Sequence, residues 1–225
     1  MIKLYKGDCL EVMENIPDNS IDLIIADPPY FQGMTHNGQK GDFNDLKICK
    51  PFFDSLFTEF VRVLNKDTGK IYFFSDWRGY AFYYPIFSNQ IPARNLIVWD
   101  KKGGAGNQYN FSHEFIIYGT LKPYNQGGSN VWRETSFSSG AKKTNGAKVH
   151  PTQKPVELIE KMILNSSKEN DVVLDPFMGS GTTGIAALNT GRKFVGIELQ
   201  DKYFNISCNR FGEWFLKDEV KENVC

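Results

Sequence analysis

A chain of 225 residues, 41% hydrophobic and 23% charged, has room for one large α/β domain with a sizeable core. No apolar run nears the roughly 20 residues needed to cross a bilayer, and the four cysteines (Cys9, Cys49, Cys208, Cys225) form no CxxC and no Cys/His spacing suited to zinc, which argues against a membrane span, a disulfide framework and a metal site. Net charge is zero but unevenly spread: residues 93–154 hold nine Lys/Arg against three acids, an excess of +6 offset by −6 elsewhere, so an anionic polymer stays among the possible partners.

The opening MIKLYKGDCLEVM lacks a basic segment followed by an apolar one, so a cytoplasmic protein with reduced thiols is expected. Cys9–Glu14 reads as a short helix, followed by an apolar run over Asp22–Ala26 with strand character. Further helix patterns cover Pro51–Leu64, Pro155–Ser166, Thr182–Thr190 and Lys202–Phe215, with Pro51 and Pro155 suited to first turns and Gly191 to a C-terminal cap. Short β-branched and aromatic runs at Lys70–Ser75, Asn95–Trp99, Phe115–Tyr118, Asp171–Leu174 and Lys193–Ile197 read as buried strands. The alternation predicts a mainly parallel sheet covered on both faces. Two polar stretches, 31–50 and 119–153, are too long for ordinary connections; they read as insertions on a single domain over 1–225, with a mobile loop at 31–50.

Two strand ends carry candidate chemistry. In DVVLDPFMGSGTTGIAALNTGRKFVGIEL, residues 171–199, Gly179, Gly181 and Gly184 satisfy G-x-G-x-x-G between a strand and a helix, and Glu198 ends the next strand 17 residues beyond Gly181. Glycines here permit a tight turn, close backbone approach to a ligand and helix packing, while the acid suits ribose hydroxyls. The pattern also fits a dinucleotide, but Asp175 at the strand end would repel a pyrophosphate and welcome an ammonium. The 26 residues after Leu199 are too few for a second mononucleotide half. A cofactor with a ribose, no phosphate and a cationic amino-acid tail fits better, and S-adenosyl-L-methionine is one.

Earlier in the chain, Asp27-Pro28-Pro29-Tyr30 follows the first buried strand. The prolines fix φ and remove two N–H donors, leaving a rigid corner that only accepts hydrogen bonds. Such a corner suits an exocyclic base amine, whose nitrogen lone pair is delocalised until its hydrogens are gripped. Tyr30 would stack on a base flipped out of its duplex.

ADPPY at 26–30, HPTQKPVELIEKMI at 150–163 and DPFMGSGTT at 175–183 together resemble the β-class amino-methyltransferases of DNA. The resemblance covers nearly all of the chain outside 31–50 and 119–149. It implies a class I methyltransferase fold, a Rossmann-like seven-stranded mixed sheet with one antiparallel strand and helices on both faces. It assigns Asp27, Pro28, Pro29 and Tyr30 to catalysis, with Asp27 also bordering the cofactor. Asp175, Phe177, Gly179, Ser180, Gly181, Thr182 and Thr183 would hold the methionine part of S-adenosyl-L-methionine, Glu198 and Leu199 its ribose side, Asp8 and Cys9 its adenine, and Thr152, Gln153 and Lys154 its methionine end.

The resemblance further implies double-stranded DNA as partner, in a restriction-modification context, with self-association into a homodimer as one arrangement. The segment at about 119–149 would recognise the target, with Arg133 reading guanine and Lys142, Lys143 and Lys148 meeting phosphates; Lys101 and Lys102 form a second DNA-facing loop. Cytosine C5 chemistry needs a cysteine after proline, and no Pro-Cys occurs. Aspartate before Pro-Pro-Tyr goes mostly with adenine in related enzymes, which favours N6 of adenine over N4 of cytosine. A non-catalytic subunit that binds cofactor and DNA is the third reading.

Overall fold

The computed structural model describes residues 1–29, 35–36, 39–40, 46–104, 109–123, 127–134 and 153–217, with the backbone alone at 35–36, 39–40, 46–48 and 215–217. Ten strands and six helices follow in order: β1 (Ile2–Lys6), α1 (Cys9–Met13), β2 (Leu23–Ala26), β3 (Thr35–His36), β4 (Gln39–Lys40), α2 (Leu46–Val63), β5 (Lys70–Ser75), α3 (Trp77–Gln90), β6 (Ala93–Asp100), β7 (His113–Thr120), β8 (Val131–Arg133), α4 (Val156–Ser166), β9 (Val172–Asp175), α5 (Thr182–Asn189), β10 (Lys193–Glu198) and α6 (Asp201–Lys217). Among these, no helix is long and apolar enough to cross a membrane.

Eight strands form one sheet in the order β1-β10-β9-β2-β5-β7-β6-β8, and β3 pairs with β4 apart from it. Only β7 runs against its neighbours. The sheet therefore has eight strands where the resemblance implied seven. The extra one is β8, which lies within the polar insertion and pairs parallel to β6 through Val98–Val131 and Asp100–Arg133. Three residues are too few for a periodicity to be seen, and Trp132 earns its place by burial in the core.

Period-2 alternation divides the core. Ile24, Ala26, Ile71 and Phe73 face α1, α2 and α3, where Met13, Phe53, Phe57, Phe60 and Phe87 are fully buried. Leu23, Ile25, Tyr72 and Phe74 face α4, α5 and α6, meeting Leu158, Met162, Ala186 and Phe211. The high aromatic content is thus largely core: Phe53, Phe57, Phe73 and Phe87 pack edge-on or tilted against one another at 5.1–6.3 Å.

β1 and α3 escape the sequence reading. Two lysines in five residues make β1 look like a polar terminus, and α3 (WRGYAFYYPIFSNQ) carries aromatics on its exposed side (Trp77, Tyr84) as well as its buried side (Tyr83, Phe87) and contains Pro85. Its start was nonetheless marked, because Asp76 accepts the Gly79 N–H at 2.6 Å as an N-cap. Pro51 lies inside α2 rather than in its first turn. Cys9 and Cys49 are free thiols, whereas Cys208 is disulfide-bonded, so the expectation of four reduced thiols fails for it.

The glycine at the head of α5 shows how tightly the layers fit. A Cβ at Gly184 would stand 2.2 Å from Phe211 Cζ and 2.7 Å from Phe194 Cδ1. Gly184→Ala is expected to cost about 1–3 kcal/mol by overpacking, read as a lowered Tm in calorimetry. An unchanged Tm would mean that α5 and α6 are not pressed together as described.

Candidate active site

The parallel strands all point their C-terminal ends to one edge, where open α/β sheets bind ligands. Along it stand, from neighbouring strands, the Gly7-Asp8 turn after β1, Glu198 ending β10, Asp175 ending β9 and Asp27 following β2. Because β7 is antiparallel, its first residues, His113 and Glu114, reach the same edge, opposite Asp100 and Trp99 of β6.

Asp175 is buried, with its carboxylate accepting the Phe177 N–H at 3.0 Å and the Thr183 hydroxyl at 2.5 Å. Burial pushes its pKa up to about 7, these two hydrogen bonds oppose the rise, and the charges of Asp27 and Glu198 add to it. Glu198 accepts the Gly179 N–H at 2.9 Å and the Gln200 N–H at 2.7 Å, so the ribose candidate also ties the glycine turn to the next strand. Burial raises its pKa while those N–H groups hold it down.

Gly179 and Gly181 adopt φ of +55° and +81°, the left-handed region that favours glycine. They do different work. A Cβ on Gly181 would meet Ser207 and Phe211 at 3.0–3.1 Å, whereas one on Gly179 would meet nothing nearer than 3.9 Å, leaving that side of the turn open to a ligand. Arg210 of α6, missed from the sequence, donates to the Ser180 carbonyl and hydroxyl and to the Thr182 hydroxyl. Burial lowers its pKa, partly offset by Glu213. No spacing marks a single arginine on a distant helix as a partner of the glycine turn.

Asp8 caps α1 by accepting the Leu10 N–H at 2.8 Å, and Gly7 N–H donates to the Glu198 carbonyl at 3.1 Å, which brings the 7–9 turn beside the cofactor candidates. The Cys9 thiol is pushed up to about 12 by burial and by Asp8, and stays protonated. Leu199 is exposed.

Pro28 is buried, and the exposed Pro29 offers its carbonyl to the Tyr83 hydroxyl at 3.4 Å. Tyr83, fully buried, has its pKa driven well above the usual phenol range by burial and by Asp76, Cys49 and Asp27, so it remains a donor. Asp27 itself is partly exposed. One of its oxygens, Oδ2, lies 2.9 Å from the Lys154 ammonium, which also reaches Glu114 Oε2 at 3.0 Å. Lys154 is thus turned toward the Asp-Pro-Pro corner, whereas the resemblance grouped it with the cofactor's methionine end. Gln153 beside it is buried.

The expected DNA-facing residues divide. Lys101 is turned inward, with its side chain 12% exposed and paired to Glu114 Oε1 at 3.4 Å; its position where β6 ends beside the start of β7 draws it into the ion-pair chain instead of toward solvent. Lys102 is exposed, and Arg133 is 73% exposed at the site edge, 3.5 Å from Asp100. Tyr30, Thr152, Lys142, Lys143 and Lys148 lie outside the described residues. Among the described residues no group of three His, Cys, Asp or Glu side chains gathers to hold a metal ion.

Comparison with known proteins fits this geometry. Residues 21–125 and 119–209 match the family of N6 and N4 methyltransferases described as DNA methylase. Type II methyltransferase M.HinfI of Haemophilus influenzae is 35% identical over 246 residues, spanning 93% of this chain and 68% of that protein. Type II methyltransferase M2.MboI of Moraxella bovis is 32% identical over 254 residues, spanning 98% of this chain and 92% of that protein. Among solved structures, the M1.HpyAVI-SAM complex superposes with a TM-score of 0.67 at 27% identity, covering 93% of this chain and 100% of that one. The PvuII DNA methyltransferase, cytosine-N4-specific, shares the fold with a TM-score of 0.73 at 19% identity, covering 93% and 86%.

Proposed function

Because the chain belongs to the N6/N4 family of DNA methylases, we propose that it transfers a methyl group from S-adenosyl-L-methionine to N6 of adenine within a specific DNA sequence. It is a DNA methyltransferase, and S-adenosyl-L-methionine is its cofactor. The observation that carries the proposal is the meeting of Asp27, Asp175 and Glu198 at the ends of neighbouring strands, a proton-accepting corner next to a cradle for a cationic, ribose-bearing molecule.

The residues fit the cofactor. Asp175 is a buried carboxylate that a cationic amino group would neutralise, and Gly179 leaves open space on the turn that Glu198 holds. When bound, S-adenosyl-L-methionine supplies an electrophilic methyl on a sulfonium sulfur. Asp175 and the glycine turn would hold its amino-acid end, and Glu198 its ribose. Asp27 and the Pro28 carbonyl accept the two hydrogens of the target amine, which pulls the nitrogen out of conjugation and frees its lone pair. Pro28 and Pro29 keep both acceptors in place, since their φ angles cannot relax. The amine proton is released to solvent after transfer, so no histidine is required.

Asp27 before Pro-Pro-Tyr favours adenine over cytosine. Exposed Arg133, at the end of β8 on the site edge, supports target recognition by the segment at about 119–149. Relatives named Type II methyltransferases support a restriction-modification role, acting in the cytoplasm. A homodimer is part of the proposal, and sedimentation velocity on the purified chain with DNA tests it.

Digesting DNA from cells that express the chain and identifying the modified nucleoside by mass tests the base. N6-methyladenine is expected. N4-methylcytosine would establish the alternative chemistry, and unmodified DNA from a protein that binds both ligands would leave a non-catalytic subunit.

A further inference from the structure

We propose that Lys154 is a positioning residue for methyl transfer, its ammonium holding the Asp27 carboxylate in place for the target amine while Glu114 balances the ammonium's charge. The inference rests on the methyltransferase reading above and concerns a residue which that reading leaves without a part in the chemistry.

Three observations carry it. The Lys154 side chain is 8% exposed and that of Asp27 is 25% exposed, so the ammonium grips Asp27 from the protein side. The Phe74 and Trp99 rings flank the ammonium at 4.9 and 5.9 Å, which fixes it beneath the corner and keeps it out of the open site. Alternating charges then run Asp27, Lys154, Glu114, Lys101, so each lysine neutralises an acid within 3.4 Å. Burial works against the Lys154 charge, but Asp27 and Glu114 outweigh it and hold the ammonium above the usual lysine range.

Without that ammonium the corner would collect acids. Asp27 would face Glu114 from β7 and Asp175 from β9, with Glu198 beyond and Tyr83 of α3 as the neutral neighbour. Carboxylates so gathered share protons. A protonated Asp27 presents a donor where the amine needs an acceptor.

Removing the positive partner should raise the pKa of Asp27, and removing the rival carboxylate should lower it. The test is a 13C-carboxyl NMR titration of Asp27, assigned through Asp27→Asn, run beside pH profiles of kcat. For Lys154→Met we expect an upward shift of about one pH unit or more in both, and a loss of about 100-fold in kcat near neutral pH, with KM for DNA and the cofactor Kd within about threefold. Lys154→Arg should keep the wild-type acid limb. For Glu114→Gln the Asp27 titration and the acid limb should both move down; this variant keeps the ammonium and carries the test alone if Lys154→Met fails to fold by thermal melting. Unshifted Asp27 titrations in both substitutions, or a Lys154→Met loss that appears in cofactor Kd, overturn the proposal. A wild-type chain that methylates no DNA would instead sink the broader reading, and the titration would still report whether Lys154 controls Asp27.

Discussion

Asp175→Asn is expected to weaken binding of S-adenosyl-L-methionine by about 10- to 100-fold, the worth of a charge-assisted hydrogen bond in a buried site. The same variant is expected to be more stable above neutral pH. Asp175 has a pKa of about 7 in the folded chain against 3.8 for the ordinary side chain. The folded state therefore holds a proton that the unfolded state has lost between those two values. Stability from this group is full below pH 3.8 and is lost as pH rises through 7, where the buried charge stands uncompensated. Asparagine does not titrate and can still accept the Phe177 N–H, so its Tm should exceed wild type by roughly 5–10 °C at pH 8 and match it near pH 4. Wild-type affinity for the cofactor should rise about tenfold between pH 6 and pH 8, as Asp175 loses its proton, and the asparagine variant should show no such rise. Calorimetric titration at several pH values reads both effects. A pH-independent wild-type Kd, or an unaltered Kd in the variant, would remove Asp175 from the proposed cofactor cradle.

The second large effect lies at Asp27. Asp27→Ala is expected to lower kcat by about 1,000-fold or more, since it deletes an acceptor that matters only as the amine nitrogen becomes nucleophilic. Cofactor Kd should stay within about threefold, because Asp175, Glu198 and the glycine turn are untouched. Lys154 keeps Glu114 as counter-charge in this variant, so the fold should survive; circular dichroism checks that point. Asp27→Asn retains a carbonyl acceptor and should fall between wild type and alanine, with an acid limb that no longer reports a carboxylate. Methyl transfer to labelled DNA under single-turnover conditions measures the series. Wild-type turnover in Asp27→Ala would remove the residue from the chemistry.

The sequence alone determined the architecture and the place in it of most of the proposed cofactor cradle, for a physical reason. Strands buried on both faces must be nearly continuous apolar runs, as at β2, β5, β9 and β10, and a strand-to-helix turn that bends sharply next to a ligand needs glycine at 179 and 181. A carboxylate or a proline pair at the end of such a strand is placed at the ligand edge by topology, so Asp27, Asp175 and Glu198 could be located before any coordinates. Elements with mixed patterns were not legible. β1 has two lysines in five residues, α3 mixes exposed aromatics with its polar residues, and β8 is three residues long; packing against the rest of the chain, more than local pattern, makes them what they are.

Only the tertiary structure decided the company that Asp27, the proposed catalytic carboxylate, keeps. Glu114 reaches the site because β7 runs antiparallel and presents its first residues where the other strands present their last. Lys154 precedes a helix 127 residues beyond Asp27, and Arg210 reaches the glycine turn from α6. Ion pairs between buried groups depend on distances of about 3 Å in space, to which separation along the chain is no guide. Solvated lysines and a lysine walled in by Phe74 and Trp99 look the same when written as a letter.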